Sequence, residues 1–148
     1  MTLIYHTITR NVAETVDAGR YTAELIDKNG YPTFICLEGD LGAGKTEFCR
    51  GAATYFVPGA SVRSPSFNIV NEYRGGKRDV FHFDFYRLES PEDLLSVGFY
   101  DYPEDSVFLV EWASKLREEL PSKRIEVRIE PADGNPDGER NVEVWLCE

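Results

Sequence analysis

Residues 39–46 read Gly39, Asp40, Leu41, Gly42, Ala43, Gly44, Lys45 and Thr46, a complete G-x-x-x-x-G-K-[ST] stretch. That spacing suits one task, holding a chain of phosphates. Glycines let the backbone curl until successive N–H groups point inward. The lysine ammonium then reaches the β- and γ-phosphates, and the threonine hydroxyl ligates Mg²⁺. The expected ligand on these residues is a nucleoside triphosphate with Mg²⁺. No Asp-x-x-Gly follows the loop and no Asn-Lys-x-Asp occurs anywhere in the chain, which argues for ATP over GTP.

A phosphate loop by itself hydrolyses nothing; turnover also wants a second carboxylate near Mg²⁺ and a group that orients water. Glu111 is the first candidate. It ends the apolar run Val107-Phe108-Leu109-Val110, as the acid of a Walker-B-type segment does, and would hold Mg²⁺ directly or through water. The plainer alternative is a solvent-facing carboxylate at a strand end. Asp84 is the second. Strand alternation puts His82, Asp84 and Tyr86 on one face and Phe81, Phe83 and Phe85 on the opposite, core-facing side. Beside a phosphate loop, Asp84 reads as a water-orienting base or a Mg²⁺ partner; without one it would read as a surface residue. Trp112 follows Glu111 and would stand beside the nucleotide, although packing is the commoner use of a tryptophan. The hydroxyls of Ser64-Pro65-Ser66 suit a γ-phosphate sensor, and equally suit an ordinary turn.

The elements that must position these residues are legible around them. Thr33-Phe34-Ile35-Cys36-Leu37 is a β-prone run leading into the loop, and Phe48, Ala52, Tyr55 and Phe56 share a helical face behind it. Strand, glycine-rich turn and helix, in that order, set a helix N-terminus behind the phosphates. Asn11 and Glu14 resemble a capping box, and Val12, Val16, Ala23 and Ile26 can share a face, predicting a helix over 11–28 closed by Asn29-Gly30. Runs 67–73 and 79–86, joined by Gly75-Gly76, read as an antiparallel hairpin. Ser90-Pro91 opens a short helix, with serine as cap and proline in the first helical position. Runs 124–130 and 141–147 are alternating strands bridged by a Gly/Pro/Asp-rich loop. The pattern is α/β with a mixed sheet, and the length suits one domain over 1–148.

Composition narrows the partners. Net charge is −10, against direct gripping of nucleic acid by a basic surface. The one local cluster, Arg74-Gly75-Gly76-Lys77-Arg78, is either a solvated turn or a docking patch for an acidic partner or RNA. Cys36, Cys49 and Cys147 share no C-x-x-C spacing, which fits a reducing cytoplasm with Cys36 and Cys49 as core residues, and argues against zinc. His6 and His82 look too isolated for a metal cluster. No apolar run approaches the ~20 residues of a membrane span, and the start Met1-Thr2-Leu3-Ile4-Tyr5 lacks signal-peptide character. A cytoplasmic protein away from membranes is expected.

Taken in order, Gly39–Thr46, Val62-x-Ser64-Pro65-Ser66-Phe67, His82-x-Asp84-x-Tyr86-Arg87-Leu88, Gly98, Glu111-Trp112 and Leu120-Pro121 resemble the TsaE (YjeE-type) ATPases of bacteria, over roughly residues 6–146. The resemblance implies a P-loop NTPase-like three-layer sandwich with a mixed β-sheet and C-terminal antiparallel strands. It implies service in threonylcarbamoyladenosine formation on the tRNA adenosine beside the anticodon. There, ATP hydrolysis resets a TsaD–TsaB-type complex, and tRNA is met only through those partners. Carried over by position, Lys45 and Thr46 bind phosphate and Mg²⁺, Glu111 is a Mg²⁺ partner, Asp84 is needed for hydrolysis and Thr15 lies near the base. Arg140, on the C-terminal hairpin, is not counted among them. Two departures are visible: Glu47 stands where a second hydroxyl residue is usual, adding negative charge beside the loop, and Ser66 stands where threonine is commoner.

Two other functions fit a phosphate loop. A small-molecule kinase would want a lid bearing arginines, and the stretch between Ser90 and Asp105 contains none. A nucleotide-sensing interaction module would need ATP binding without turnover.

Overall fold

The computed structural model describes residues 1–40, 42–134 and 138–148. Its centre is a seven-stranded sheet in the order β1-β7-β6-β2-β5-β4-β3. The strands are β1 Thr2–Thr9, β2 Phe34–Glu38, β3 Val70–Tyr73, β4 Val80–Asp84, β5 Val107–Glu111, β6 Arg124–Pro131 and β7 Arg140–Cys147. Neighbours β6, β2, β5 and β4 run parallel, while β1, β7 and β3 pair antiparallel at the two sides. The sheet is therefore mixed, as the sequence indicates.

Alternation along the central strands divides the core in two. Ile35, Leu37, Val107, Leu109, Ile125 and Val127 pack toward helices α1 (Val12–Asn29) and α2 (Lys45–Phe56). Cys36, Phe81, Phe83, Phe85, Phe108 and Val110 pack on the other face, toward α3 (Pro91–Ser96) and two 3₁₀ segments, Phe99–Asp101 and Ala113–Glu119. The phenylalanines of β4 join an aromatic cluster there, with Phe83 at 5.2 Å from Phe99 and Phe81 at 4.1 Å from Tyr102. This cluster anchors β4, and so fixes what its opposite face presents to α2.

Helix α1 starts where expected: the Asn11 side chain accepts the Glu14 N–H at 2.9 Å, and Gly30 closes it in the left-handed region. Its buried stripe keeps Ala23 and Ile26 of the expected face but not Val12, and Val16 is only partly buried. Thr15, Ala18, Gly19, Thr22, Ala23 and Ile26 are buried, whereas Val12 is exposed. The reason is how closely α1 and α2 approach. A Cβ on Gly51 would lie 1.8 Å from the Val16 carbonyl, and one on Gly19 would lie 2.0 Å from the Phe48 carbonyl. Backbones that near to touching demand glycine and small residues at the crossing.

The expected hairpin strands are shorter than their β-prone runs. Residues 67–69 form a turn, closed by the Ile69 N–H on the Pro65 carbonyl at 2.7 Å, with Ile69 itself at φ +68° and Phe67 exposed. At the far end β4 stops at Asp84, whose carboxylate accepts the Tyr86 N–H at 2.9 Å. The basic turn between β3 and β4 is tied down: Arg74 pairs with Glu72 and Asp79, Lys77 with Asp27, and Arg78 donates to the Asp105 carbonyl. The three cysteines are free and buried. No helix among the described residues is long and apolar enough to cross a membrane.

Candidate functional site

The glycine-rich loop leaves the C-terminal end of β2 and enters α2 at Lys45, at the same end of the sheet as the last residues of β4 and β5. Gly39 must be glycine: a Cβ there would sit 2.4 Å from the Ile129 carbonyl of β6, so the loop is pressed against the sheet. The Ala43 N–H donates to the Asp40 carbonyl at 3.0 Å, and the Asp40 side chain is exposed. Gly44 caps α2 without a side chain, leaving the first-turn N–H groups of the helix facing the loop. Leu41 lies outside the described residues.

Lys45 is buried. Its ammonium donates to the Gly39 carbonyl and lies 3.8 Å from the centre of the Trp112 ring. Burial lowers its pKa, and the carboxylates of Glu111, Glu38, Asp84 and Asp40 work against that. Among the described residues its close contacts are thus a neutral carbonyl and a ring, which an anion can displace without breaking an ion pair. Trp112 is held at φ +58°, a conformation that costs a side-chain-bearing residue about 1–2 kcal/mol. The Tyr86 ring lies 5.1 Å from its own.

Two carboxylates face this lysine. Asp84 and Glu111 are register partners across the parallel β4–β5 pair, and both are buried. Glu111 Oε2 accepts the Thr46 hydroxyl at 3.5 Å and the His82 Nε2–H at 2.6 Å. Burial raises the pKa of Asp84, the Tyr86 N–H opposes the rise, and the neighbouring Glu111 charge adds to it. His82 is fully buried and its Nδ1 has no hydrogen-bond partner among the described residues, an arrangement costing roughly 1–3 kcal/mol. The expected polar row therefore divides: His82 and Asp84 turn inward toward α2, whereas Tyr86 is half exposed beyond the strand end. Nor is His82 isolated once folded, since its ring nitrogen, the Cys49 sulfur and a Glu111 oxygen lie within 4.8 Å of one another. Complete burial pushes the Cys49 thiol far up, which keeps it from the thiolate form a metal requires. The oxygen donors of Thr46, Glu111 and Asp84 instead make a hard set of the kind Mg²⁺ takes.

Two clefts flank the loop. One, about 190 Å³, is lined by Lys45, Thr46, Ser64, Asp84, Glu111 and Trp112. Ser64 and Ser66 face each other there, hydroxyl to hydroxyl at 2.7 Å. The other, about 230 Å³, is lined by Thr9, Arg10, Thr15, Ala43 and Arg140; Gly42, Gly44 and Glu47 border both. Thr15 lines this second cleft, with its hydroxyl on Thr9 Oγ1 at 2.8 Å in the interior. Arg140, not counted beforehand, reaches over the loop and donates to the Gly42 carbonyl at 3.3 Å.

Fold and site together define an α/β protein in which a glycine-rich turn gathers a lysine, a hydroxyl and two carboxylates at the ends of parallel strands. The chain belongs to the TsaE family: residues 9–142 match the family described as threonylcarbamoyl adenosine biosynthesis protein TsaE. It is similar to the tRNA threonylcarbamoyladenosine biosynthesis protein TsaE of Rickettsia conorii, 36% identical over 123 residues, 82% of this chain and 69% of that one. It is also similar to the protein of that name from Haemophilus influenzae, 40% identical over 111 residues, 74% of this chain and 68% of the other. Among solved structures it resembles Bacillus subtilis YdiB, with a TM-score of 0.73 and 31% identity, covering 100% of this chain and 89% of that one.

The residues that sequence reasoning passed over are His82 as a partner of Glu111, Thr9, Arg10 and Arg140. His82 stands in the His-x-Asp-x-Tyr row, but nothing local in that row shows that it meets Glu111, and Thr9, Arg10 and Arg140 carry no local motif. Arg140 opens the alternating run of β7, and position in that run was the only sign of its place.

Proposed function

We propose that this chain is a Mg²⁺-dependent ATPase of tRNA threonylcarbamoyladenosine formation. It acts on a TsaD–TsaB-type protein complex in the cytoplasm and meets tRNA only through those partners. The observation that carries this reading is the convergence of Lys45, Thr46, Glu111 and Asp84 on one cleft beside the 39–46 loop.

In this reading the loop is a P-loop, and residues 39–46, including Leu41, cradle the triphosphate. Lys45 leaves the Gly39 carbonyl and the Trp112 ring to meet the β- and γ-phosphates. Thr46, Glu111 and Asp84 supply oxygen ligands to Mg²⁺, which when bound neutralises charge on the phosphoryl oxygens. Asp84 also accepts a hydrogen bond from the attacking water and so orients it. Ser64 and Ser66 sense the γ-phosphate, and Trp112, Thr15 and Arg140 border the nucleoside. The acidic charge of the chain suits docking on protein rather than on RNA.

The test is ATP hydrolysis by the purified chain, alone and with a reconstituted TsaD–TsaB complex. Slow turnover alone and marked stimulation by the partners are expected. Equal rates in both settings would remove the partner assignment, and no turnover in either would remove the ATPase.

A further inference from the structure

The geometry points to His82 as the positioning residue that fixes the Glu111 carboxylate for the cation. This rests on the reading that Glu111 holds Mg²⁺.

His82 has no solvent exposure, and Glu111 is its hydrogen-bond partner. A carboxylate only accepts, so His82 Nε2 donates, and Nδ1 is left without a hydrogen-bond partner among the described residues. Packing does not require this. The neighbouring inward position of β4, Val80, and that of β5, Leu109, are apolar and fully buried, so a leucine at 82 would fill the same layer without an orphaned nitrogen. What a leucine would not do is hold Glu111.

The need for a holder follows from the sheet. The β4–β5 register sets Asp84 directly beside Glu111, two carboxylates on one wall of one cleft. Each favours swinging away from the other. His82, two residues before Asp84 on the same face of β4, draws Glu111 Oε2 to 2.6 Å. The same oxygen faces the Thr46 hydroxyl at 3.5 Å. Glu111 is thereby kept on the side of Thr46, the other oxygen donor of the proposed cation site, before any cation arrives. Both ends of the His82–Glu111 bond stand on adjacent paired strands, so its length is set by the ladder rather than by a loop. Groups that orient a metal-binding carboxylate typically contribute 10–100-fold to metal affinity or activity.

The test is ATP binding by calorimetry, in EDTA and across a Mg²⁺ titration, on the parent chain and on His82→Leu, His82→Gln, His82→Asn and Glu111→Gln. The three His82 variants are expected to bind ATP as the parent does in EDTA, and Glu111→Gln is read only by its Mg²⁺ dependence. His82→Leu should need roughly 10-fold more Mg²⁺ to reach the cation-supported affinity. His82→Gln, whose amide N–H can reach the same oxygen, should stay near the parent, and the shorter His82→Asn should behave as leucine does. Parent-like Mg²⁺ dependence in His82→Leu, with Glu111→Gln shifted, would overturn the role of His82 alone. Parent-like dependence in Glu111→Gln would overturn the cation reading of Glu111 and this inference with it. If His82→Leu fails to fold, equal Mg²⁺ dependence in the glutamine and asparagine variants overturns the proposal.

Discussion

Lys45 lies with its ammonium 3.8 Å from the centre of the Trp112 indole, across the mouth of the cleft, while donating to the Gly39 carbonyl. The lysine proposed to meet phosphate rests against the aromatic ring beside it. A triphosphate that draws Lys45 off the ring changes the polarity at Trp112, so its emission reports occupancy. In a Trp145→Phe background, which leaves Trp112 as the sole tryptophan, ATP·Mg²⁺ should change the emission saturably. Lys45→Ala should weaken the affinity by roughly 10–100-fold, the worth of a charge-assisted hydrogen bond. A flat titration at saturating ATP would put Trp112 outside the site.

In the proposed function, substitution of Asp84 is expected to separate binding from turnover. Its carboxylate sits on the wall of the cleft, whereas the groups proposed to hold phosphate come from the loop and α2. Asp84→Asn should keep ATP binding within a few-fold and reduce hydrolysis by about 10²-fold or more, the range expected for a general base. Should it leave the partner complex fully stimulated, nucleotide binding without turnover is what the partners use. The same substitution has a stability signature. Burial raises the Asp84 pKa above 3.8, so the folded state takes up this proton before the unfolded state does. The charged form therefore opposes folding at neutral pH, and that penalty fades as pH falls through the raised pKa. Asp84→Asn should raise Tm at pH 7, and the gain should shrink on acidification. An unchanged Tm would mean the carboxylate is not strained in place.

Asp27 works in the opposite sense, far from the cleft. Its carboxylate accepts from Lys77 at 2.6 Å and from the Tyr55 hydroxyl at 2.8 Å, tying the β3–β4 turn to α1 and α2. Those hydrogen bonds lower its pKa below 3.8. Its stabilisation is present above that value and is lost as pH falls through the lowered pKa. Asp27→Ala should cost about 0.5–1 kcal/mol at pH 7, a figure already discounted for solvent screening, and should cost nothing once the parent carboxyl is protonated. Thermal melts of both proteins from pH 7 down through the acid range check this, the two Tm values converging as the parent carboxyl is protonated.

Much of this arrangement was legible because it is local. The strand, glycine turn and helix over residues 33–56 are contiguous, and so are the apolar run before Glu111 and the cap at Asn11. What was not legible depends on distance in sequence. His82 and Glu111 are separated by 29 residues and meet only because β4 and β5 pair in parallel. Strand β1 was passed over, and with it Thr9 as the partner of Thr15. Periodicity chose Val12 for the core because it weighs hydrophobicity; the structure chose Gly19 and Thr15 because α1 and α2 nearly touch. The turn at 67–69 escaped because β-propensity cannot register the Ile69–Pro65 hydrogen bond that breaks the run.

Thr15 and Arg140 line the same cleft and should answer differently to substitution. The Thr15 hydroxyl is committed inward to Thr9 Oγ1, and also approaches the Asn11 carbonyl at 3.3 Å. Thr15→Val keeps the shape and removes the hydroxyl, leaving Thr9 without that partner. It should cost about 1 kcal/mol of stability with little change in ATP affinity. Arg140 instead reaches from β7 to the Gly42 carbonyl, bracing the loop on the side of the cleft away from Glu111. Arg140→Ala should lower ATP affinity roughly 10-fold, the lower end of the worth of one hydrogen bond to a charged group, while changing Tm little. Fluorescence titration and thermal melts on the two variants separate the roles. A Thr15→Val chain of parent stability but weakened ATP binding would mean that the hydroxyl serves the base rather than the fold.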